Sequence, residues 1–355
     1  MLCSWAPGYV VPLPPRHSFP MDKFQHLRDI LVAENVVRPD EIVPPEPCPW
    51  DTLRLVHTQR YLTALRDGAM SDFEVRRMGL PWSDALVRRS RLAVQGTINA
   101  VAFALDDGLA ANLAGGTHHA HPDFAQGFCV LNDVAVAIRE HQRRGTISTA
   151  LVVDLDTHQG NGTAAVFQHD PRVYTFSMHG GKNFPLKKER STRDVPLDDN
   201  LGDDAYLAAL DAHLPAAVNE AQLLRRDDGS RGLDLVVYVQ GVDVCDQDKF
   251  GRLNISRDAM NERDRRVLRA VADRGLPLVL LLGGGYALPP LPQGVAVRKA
   301  AEHTLTSPEL TAHLHADMHR AAHSLGLIDA ARNKRSANSL KHSLRPLDPA
   351  TNRSG

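Results

Sequence analysis

One stretch near the middle of the chain carries side chains whose types and spacing suit metal binding. Residues 150–153 are an apolar, β-branched run that predicts a buried strand, and Asp154, Asp156 and His158 follow it. Residues two apart on an extended backbone project from the same face, so these three side chains point the same way. Ionisable groups that converge at the end of a buried strand cost free energy unless they are compensated. A divalent cation compensates them, because carboxylate oxygen and imidazole nitrogen are both zinc ligands.

Zinc hydrolases commonly use three protein ligands and leave a fourth position for water. Asp156 and His158 supply two of them, and Asp243, which follows the apolar run 234–240, is the candidate for the third. By itself Asp243 would be interpreted as a turn residue, and Asp-x-His as part of an acidic surface loop. The buried strand before the motif favours the metal site. Asp154 then holds a nearby imidazole in position.

Two further motifs supply groups that can move protons or stabilise charge. His118 and His119 are adjacent in a glycine-bearing loop, and histidine titrates in the range that suits both a general base and a general acid. Tyr286 follows three glycines, whose backbone freedom would let the loop carry the phenol into the site. There it can hydrogen-bond the oxyanion that forms as water adds to a carbonyl. The alternatives are structural histidines and a surface tyrosine; without G-x-G-x-x-G, dinucleotide binding has little support.

Strands and helices that alternate between residues 149 and 286 must position these groups. The alternation predicts a mostly parallel sheet with helices on both faces, in which ligands bind outside the carboxyl ends of the strands. Asp-x-Asp-x-His, His179, Asp243 and Tyr286 each follow a predicted strand. The strands are predicted near residues 150–154, 173–177, 234–240 and 278–282. The helices are predicted near residues 23–34, 59–67, 84–107, 130–144, 160–168, 203–225 and 257–274, the third with Ser83 as its N-cap.

Length and composition predict one large domain. The chain has 355 residues, of which 43% are hydrophobic, enough for a sizeable core. Without an evident linker or repeat, we predict a single catalytic domain over residues 1–330 and a flexible, basic C-terminal tail over 331–355. Residues 1–20 are proline-rich and are predicted to cover the surface as an irregular segment. Residues 182–200 are charged and are predicted to form a loop at the rim of the site.

Charge and cysteine content exclude several classes of protein. Lys and Arg total 41 against 42 for Asp and Glu, so no basic field points to nucleic acid. The four cysteines are scattered, which is typical of a reducing compartment. No apolar run approaches the roughly 20 residues that span a bilayer, and the N-terminus does not resemble a signal peptide. We therefore expect a cytoplasmic protein that binds neither nucleic acid nor membrane.

Taken together, the motifs resemble those of the zinc-dependent histone deacetylase family of the arginase/deacetylase superfamily. This family also contains acetoin-utilisation proteins and acetylpolyamine amidohydrolases. The resemblance extends over about residues 15–305, and the order and spacing of its short motifs make it specific. The matching motifs are residues 116–119, 127–129, 154–158, 241–243 and 283–286. Residues 16–21 and 158–162 resemble the class IV branch and its bacterial relatives.

The resemblance implies a three-layer α/β/α fold with a central, mostly parallel eight-stranded sheet. It implies one zinc ion per chain, held by Asp156, His158 and Asp243. It also implies that His119 is the main general base and acid, and that His118 pairs with Asp154. Tyr286 would polarise the scissile amide carbonyl.

Two further sites are implied by the resemblance alone. Gly127 and Phe128 would line a channel for the acyl-lysine side chain. A monovalent cation, expected to be potassium, would lie beside the zinc. Its ligands would be the backbone carbonyls of Asp154, Asp156, His158 and Met178, together with the Ser177 hydroxyl.

One departure from the family pattern bears on the mechanism. Many relatives place an aspartate where this chain has Asn161, paired with the second histidine of the pair. Asparagine carries no charge, so it raises the pKa of that histidine less than aspartate would. We therefore predict a lower pKa for His119 than in relatives that carry the aspartate.

Three functions are compatible with these residues. The first is a metal-activated hydrolysis that removes an acetyl or longer acyl group from an acyl-lysine or a similar acylated amine. The second is a binuclear manganese enzyme of the arginase type, suggested by Asp246 and Asp248 but disfavoured by Gly160, where that pattern has an aspartate. The third is a catalytically silent module that binds acylated proteins. The sequence does not distinguish histone, other protein, polyamine or small-metabolite substrates, and it does not predict the oligomeric state.

Overall fold

One parallel sheet forms the centre of the molecule in the computed structural model, which describes residues 1–290 and 304–343. Its eight strands are, in chain order, β1 (Leu2–Ser4), β2 (Ile42–Val43), β3 (Leu109–Asn112), β4 (Ala150–Asp154), β5 (Val173–Gly180), β6 (Arg193–Leu197), β7 (Leu235–Gln240) and β8 (Leu278–Leu282). They lie in the order β2-β1-β3-β8-β7-β4-β5-β6, and every neighbouring pair is parallel. The predicted eight-stranded sheet is confirmed.

Helices cover both faces of this sheet. The described part of the chain contains the α-helices α1 (Lys23–Ala33), α2 (Trp50–Leu53), α3 (Gln59–Arg66), α4 (Asp72–Met78), α5 (Asp84–Asp107), α6 (Asp133–Arg143), α7 (Asn161–Phe167), α8 (Asp203–Ala221), α9 (Arg257–Ala272), α10 (Pro308–Ser324) and α11 (Leu327–Ser343). One layer runs from α5, which packs on β1, β3 and β8, through α6 to α7. The other runs from α8, which packs on β4 and β5, through α9 and α10 to α1. The three-layer α/β/α fold is confirmed.

The strands that the sequence predicted are β4, β5, β7 and β8, whose apolar runs are buried along their whole length. The prediction for β5 was wrong at its end, because the strand continues to Gly180. His179 therefore lies inside β5 and does not follow it. α8 and α9 end a few residues earlier than predicted.

Four strands were missed. Residues 1–20 do not simply cover the surface, because β1 lies within the sheet between β2 and β3. The charged segment 182–200, predicted as a loop, contains the edge strand β6. These strands are short, and β1 and β3 contain no β-branched residue, so they lack the usual strand signal. β6 contains Pro196, which is tolerated because the strand is at an edge.

The predicted flexible tail from residue 331 is corrected for residues 331–343, which belong to α11. This helix packs on α5 and β3. It is held by Arg332 and Arg335, whose guanidinium groups both donate to the buried carboxylate of Glu41. Residues 344–355 lie outside the described residues. None of the helices in the described part of the chain combines the length and apolar character that a bilayer crossing requires.

The order of the strands brings the chemistry-bearing loops together. β3, β8, β7 and β4 are consecutive neighbours in the middle of the sheet. His118 and His119 follow β3, Tyr286 follows β8, Asp243 follows β7, and Asp156 follows β4. Because all strands are parallel, these loops leave the sheet at the same edge, where ligands bind in folds of this type.

Candidate active site

The three predicted metal ligands lie together beyond the central strands. One ligand atom from each of Asp156, His158 and Asp243 lies within 4.8 Å of the other two, and all three side chains are buried. His158 Nδ1 is 3.1 Å from Asp156 Oδ1 and 3.1 Å from Asp243 Oδ2. The hydrogen-bonded strands β4 and β7 hold these loops side by side, with Asp154 opposite Val239.

These spacings fit a bound zinc ion. Ligand atoms about 2.0–2.1 Å from a tetrahedral ion lie roughly 3.3 Å apart, close to the distance between His158 and each carboxylate. Burial raises the pKa of Asp243 to about 7, and repulsion from the charge of Asp156 adds to this effect. A cation between them relieves this repulsion, so the donor set suits a divalent metal.

Backbone N–H groups orient the two carboxylates. The N–H of His158 donates to Asp156 Oδ1 (2.8 Å), and the N–H of Thr157 donates to Asp243 Oδ1 (2.9 Å). The N–H of Gly284 donates to the other oxygen of Asp156. A Cβ atom at Gly284 would lie only 2.0 Å from Asp243 Oδ2. Gly284 is therefore required for close approach to both ligands, whereas the sequence analysis attributed the glycines to backbone freedom.

The extra acidic residues do not build a second metal site. Asp248 is buried, and its carboxylate accepts hydrogen bonds from the N–H groups of Phe250, Gly251 and Tyr286 (2.8, 2.9 and 2.6 Å). Asp246 is exposed. Among the described residues, the Asp156 cluster is the only group of this kind. Asp248 thus holds the loop of Tyr286, which disfavours the binuclear alternative.

His118 and Asp154 form a buried pair, as the resemblance implied. His118 Nδ1 lies 2.7 Å from Asp154 Oδ2, and the other oxygen of Asp154 accepts from the N–H of Asp156. Burial lowers the pKa of His118, but the charges of Asp154 and Asp156 together outweigh it and raise that pKa to about 9. The two carboxylates therefore favour the protonated form of His118.

His119 has the opposite character. Its Nδ1 lies 2.7 Å from Asn161 Oδ1, while the amide nitrogen of Asn161 donates to Gln126 Oε1 (2.9 Å). This orientation makes Nδ1 of His119 the donor and leaves Nε2 as the basic nitrogen. Burial, and then the positive charge of His118, lowers the pKa of His119 well below its usual value of 6.5. Gln126 was not singled out from the sequence, because nothing near it in the chain marks its contact with Asn161.

Tyr286 lies in an aromatic group at the entrance to the metal site. Its ring centroid is 4.9 Å from that of Phe250 and 5.7 Å from that of Phe128. Burial, followed by the charges of Asp243 and Asp156, raises the pKa of its hydroxyl well above 10. The phenol therefore keeps its proton and can act as a hydrogen-bond donor.

An open cavity of about 860 Å³ leads from the surface to this site, with His119, His158 and Tyr286 among its lining residues. Gly127 and Phe128 also line it, both with positive φ (56° and 66°). That conformation is costly for phenylalanine, and strained residues of this kind cluster at functional sites. Phe184 was not predicted from the sequence. The centroid of its ring lies 5.0 Å from that of His119 and 6.0 Å from that of His158.

The residues proposed for the monovalent cation also lie close together. Asp154 and Ser177 are opposite each other on β4 and β5. Among the described residues, no N–H group donates to the carbonyl oxygens of Asp156 or His158, although both residues are buried. Buried carbonyls are almost always paired, so these two are available to a cation or to water. Ser177 Oγ lies 3.0 Å from His179 Nδ1, which leaves the hydroxyl a further lone pair.

A buried arginine that the sequence analysis missed joins the two ligand loops. Arg263 lies on α9 and is fully buried. Its Nη1 donates to the carbonyl oxygens of Gly241 (2.6 Å) and Leu155 (3.4 Å), next to the segments that carry Asp243 and Asp156. Its Nε donates to Asp264 (2.9 Å), which balances its charge.

Comparisons with known proteins give a consistent result. A sequence model of the histone deacetylase domain matches residues 17–301. An uncharacterised protein of Picosynechococcus is 43% identical over 281 residues, covering 79% of this chain and 90% of that protein. Histone deacetylase 2 of Arabidopsis thaliana is 32% identical over 280 residues (76% and 70%). The acetoin utilization protein AcuC of Staphylococcus aureus is 27% identical over 300 residues (76% and 73%).

Proposed function

Because the chain belongs to the histone deacetylase family, we propose that it is a zinc-dependent deacylase. It hydrolyses the amide of an acyl-lysine side chain or of a similar acylated amine. The observation that carries this proposal is the buried group of Asp156, His158 and Asp243 at the end of a cavity that His119 and Tyr286 also line. A divalent metal bound there supplies Lewis-acid activation of the carbonyl and of water.

The protein's own residues divide the remaining chemistry. His119 is neutral, and its Nε2 takes the proton of the attacking water and returns it to the leaving amine. Asn161 holds His119 in the tautomer that this step requires. Tyr286 keeps its proton and donates a hydrogen bond to the carbonyl oxygen as negative charge develops there. His118, protonated beside Asp154, adds positive charge to the same region.

We also propose that a potassium ion lies beside the zinc. Its ligands would be the carbonyls of Asp154, Asp156, His158 and Met178 and the hydroxyl of Ser177. The two unpaired buried carbonyls of Asp156 and His158 support this site. Membership of the class IV-like branch, suggested by residues 158–162, stays a prediction.

The proposal is tested with purified, zinc-loaded protein and acyl-lysine peptides of several acyl lengths. His119→Ala and Tyr286→Phe are each expected to lower kcat/KM at least ~100-fold, because they remove the base and the oxyanion donor. Zinc content should stay the same, since neither residue is a ligand. Tyr174→Phe is the matched control, because the Tyr174 hydroxyl pairs with Glu220, away from the cavity. Undiminished turnover in either site variant would contradict the assigned roles, and an inert zinc-loaded wild type would favour the silent binding module.

A further inference from the structure

The outer part of the active-site cavity is lined by cations. Arg76, Arg77, Lys249 and Arg252 contribute to its wall, together with the polar side chains of Gln126 and Asn183. Among the described residues that line the cavity, none is an aspartate or a glutamate. The whole chain has nearly equal numbers of basic and acidic residues, so this concentration is a local feature of the entrance.

Three of these cations have no described carboxylate as a partner. Arg76 is exposed and forms no ion pair with a described residue. Lys249 is half-buried and donates to a backbone carbonyl, that of Thr304 (3.1 Å). Arg252 lies 3.5 Å from Asp199, and Arg77 forms no ion pair with a described residue, although the charges of Asp123 and Glu74 act on it from a greater distance. The entrance therefore keeps most of its positive charge.

Arg77 is the most unusual member of this group. It is half-buried, and its guanidinium carbon lies 3.8 Å from the centre of the Phe124 ring. Its Nε is buried and has no hydrogen-bond partner among the described residues. Arg77 forms no ion pair with a described residue, so its guanidinium at the wall of the cavity is suited to receive an anion from outside.

One nearby carboxylate and one nearby lysine are paired with other groups, while Asp123 is exposed and acts on Arg77 through its charge. Glu74 accepts from Arg60 (3.0 Å) and from the N–H of Ser71, where it caps α4. Lys188, in the charged segment 182–200 that was predicted to form a rim loop, donates to the carbonyls of Asn183 and Pro185 (2.6 and 2.7 Å). The positive charge at the entrance thus comes mainly from α4 and from the loop after β7.

We propose that the favoured substrate is an acyl-lysine side chain in a segment rich in acidic residues, and that cationic acyl amines are disfavoured. This specificity rests on the proposed function, because it concerns the same cavity. Charges of one sign on the walls of a cleft concentrate ligands of the opposite sign and repel ligands of the same sign. Carboxylates that flank the acylated lysine would meet Arg76 and Arg77 of α4 and Lys249 of the loop after β7.

The first test compares acetyl-lysine peptides of equal length, flanked by aspartates, alanines or arginines, with an acetylated polyamine as a fourth substrate. We expect kcat/KM to fall in the order acidic, neutral, basic, with ~5-fold or more between successive peptides at low salt, since each charged peptide carries several flanking charges and one exposed ion pair is worth a factor of up to about 5. The polyamine should rank with the basic peptide. The preference should shrink between about 0.01 M and about 1 M salt, over which the screening length falls from about 30 Å to about 3 Å.

The second test removes one cation. Arg76→Gln should reduce the advantage of the acidic over the neutral peptide by ~2- to 5-fold and leave turnover of the neutral peptide unchanged. Arg88→Gln is the matched control, because Arg88 is also exposed but does not line the cavity, and it should leave the ratio as it is.

The outcomes separate this inference from the proposed function. If the neutral peptide is hydrolysed but flanking charge has no effect, or if the basic peptide or the polyamine is preferred, the inferred specificity is wrong and the deacylase activity stands. An equal effect of Arg76→Gln and Arg88→Gln would also overturn it, because the charge would then act without contact at the cavity. If no acyl-lysine peptide is hydrolysed, the proposed function itself fails.

Discussion

The hydrogen bond from His119 to Asn161 fixes the tautomer of the base and gives it a neutral partner. A neutral amide holds the tautomer as well as a carboxylate does, but it stabilises the protonated ring less than a carboxylate would. Burial and the neighbouring cation His118 therefore act without an opposing charge from position 161, and the pKa of His119 is low. The free base is consequently available at a pH where a histidine paired with a carboxylate would be protonated.

We predict that Asn161→Asp raises the pKa of His119. Activity requires the neutral ring, so the acidic limb of the profile of kcat/KM against pH lies at this pKa and should move to higher pH, by at least ~1 unit. Asn219→Asp is the matched control, because it adds the same charge at an exposed position paired with Arg274. A limb that stays in place in Asn161→Asp would refute the assignment of His119 as the base.

Some residues of the site could be predicted from the sequence, and others could not. Asp156, His158 and Asp243 were predicted because their types and their position after apolar runs carry the signal. Gln126 and Phe184 were not, because their roles depend on contacts with residues that are distant along the chain, namely Asn161 for Gln126 and His119 for Phe184. The role of Gly284 required knowledge of how closely its backbone approaches the two carboxylates.

At the scale of elements, α9 links the two loops that hold the metal ligands. The guanidinium of Arg263 reaches the carbonyls of Gly241 and Leu155, so one side chain fixes the ends of β7 and β4 relative to each other. Its partner Asp264 also accepts from the Tyr238 hydroxyl (2.6 Å). Loss of the guanidinium would leave a buried carboxylate without its cation and two carbonyls without donors.

We predict that Arg263→Met lowers the free energy of unfolding by about 3–5 kcal/mol and weakens zinc binding ~10-fold. Arg266→Met, on the same helix, is the matched control. Arg266 pairs with Glu262 and Asp211 near the surface, and such pairs are worth at most about 1 kcal/mol. Urea unfolding and competition with a zinc chelator measure the two effects. Equal effects of the two substitutions on both measurements would show that Arg263 does not position the ligand loops.

The longer and more deeply buried strands and helices could be predicted from the sequence, whereas the short strands could not. β4, β7 and β8 are continuous apolar runs, and the long helix α5 is marked by Ser83 as its N-cap, which accepts from the N–H of Leu86 (3.1 Å). β1 and β3 are short strands, and pairing with neighbours distant in the chain determines their structure. Such pairing has no local signature, which is why residues 1–20 were predicted to be irregular.

At the scale of the whole molecule, the first and last described segments are joined at one buried carboxylate. Glu41, which precedes β2, accepts from Arg332 (2.7 Å) and Arg335 (2.9 Å) of α11. Burial would raise the pKa of Glu41, but the hydrogen bonds from Arg332 and from the Arg38 N–H are among those that outweigh it and hold that pKa well below 4.5. This contact explains why part of the polar C-terminal segment is an ordered helix.

We predict that Glu41→Gln lowers the free energy of unfolding at neutral pH by about 3 kcal/mol and increases amide exchange in α11, because Arg332, Arg335 and the Met1 ammonium lose their buried partner. A carboxyl with a lowered pKa binds fewer protons in the folded state, so its contribution is complete above the unfolded value of 4.5 and declines as the pH falls below it. The difference in the free energy of unfolding between wild type and variant should therefore shrink in acid.

Asp29→Asn is the control, because Asp29 pairs with Arg28 at the surface. A loss no larger than in the control, or one that does not change with pH, would mean that Glu41 does not anchor α11.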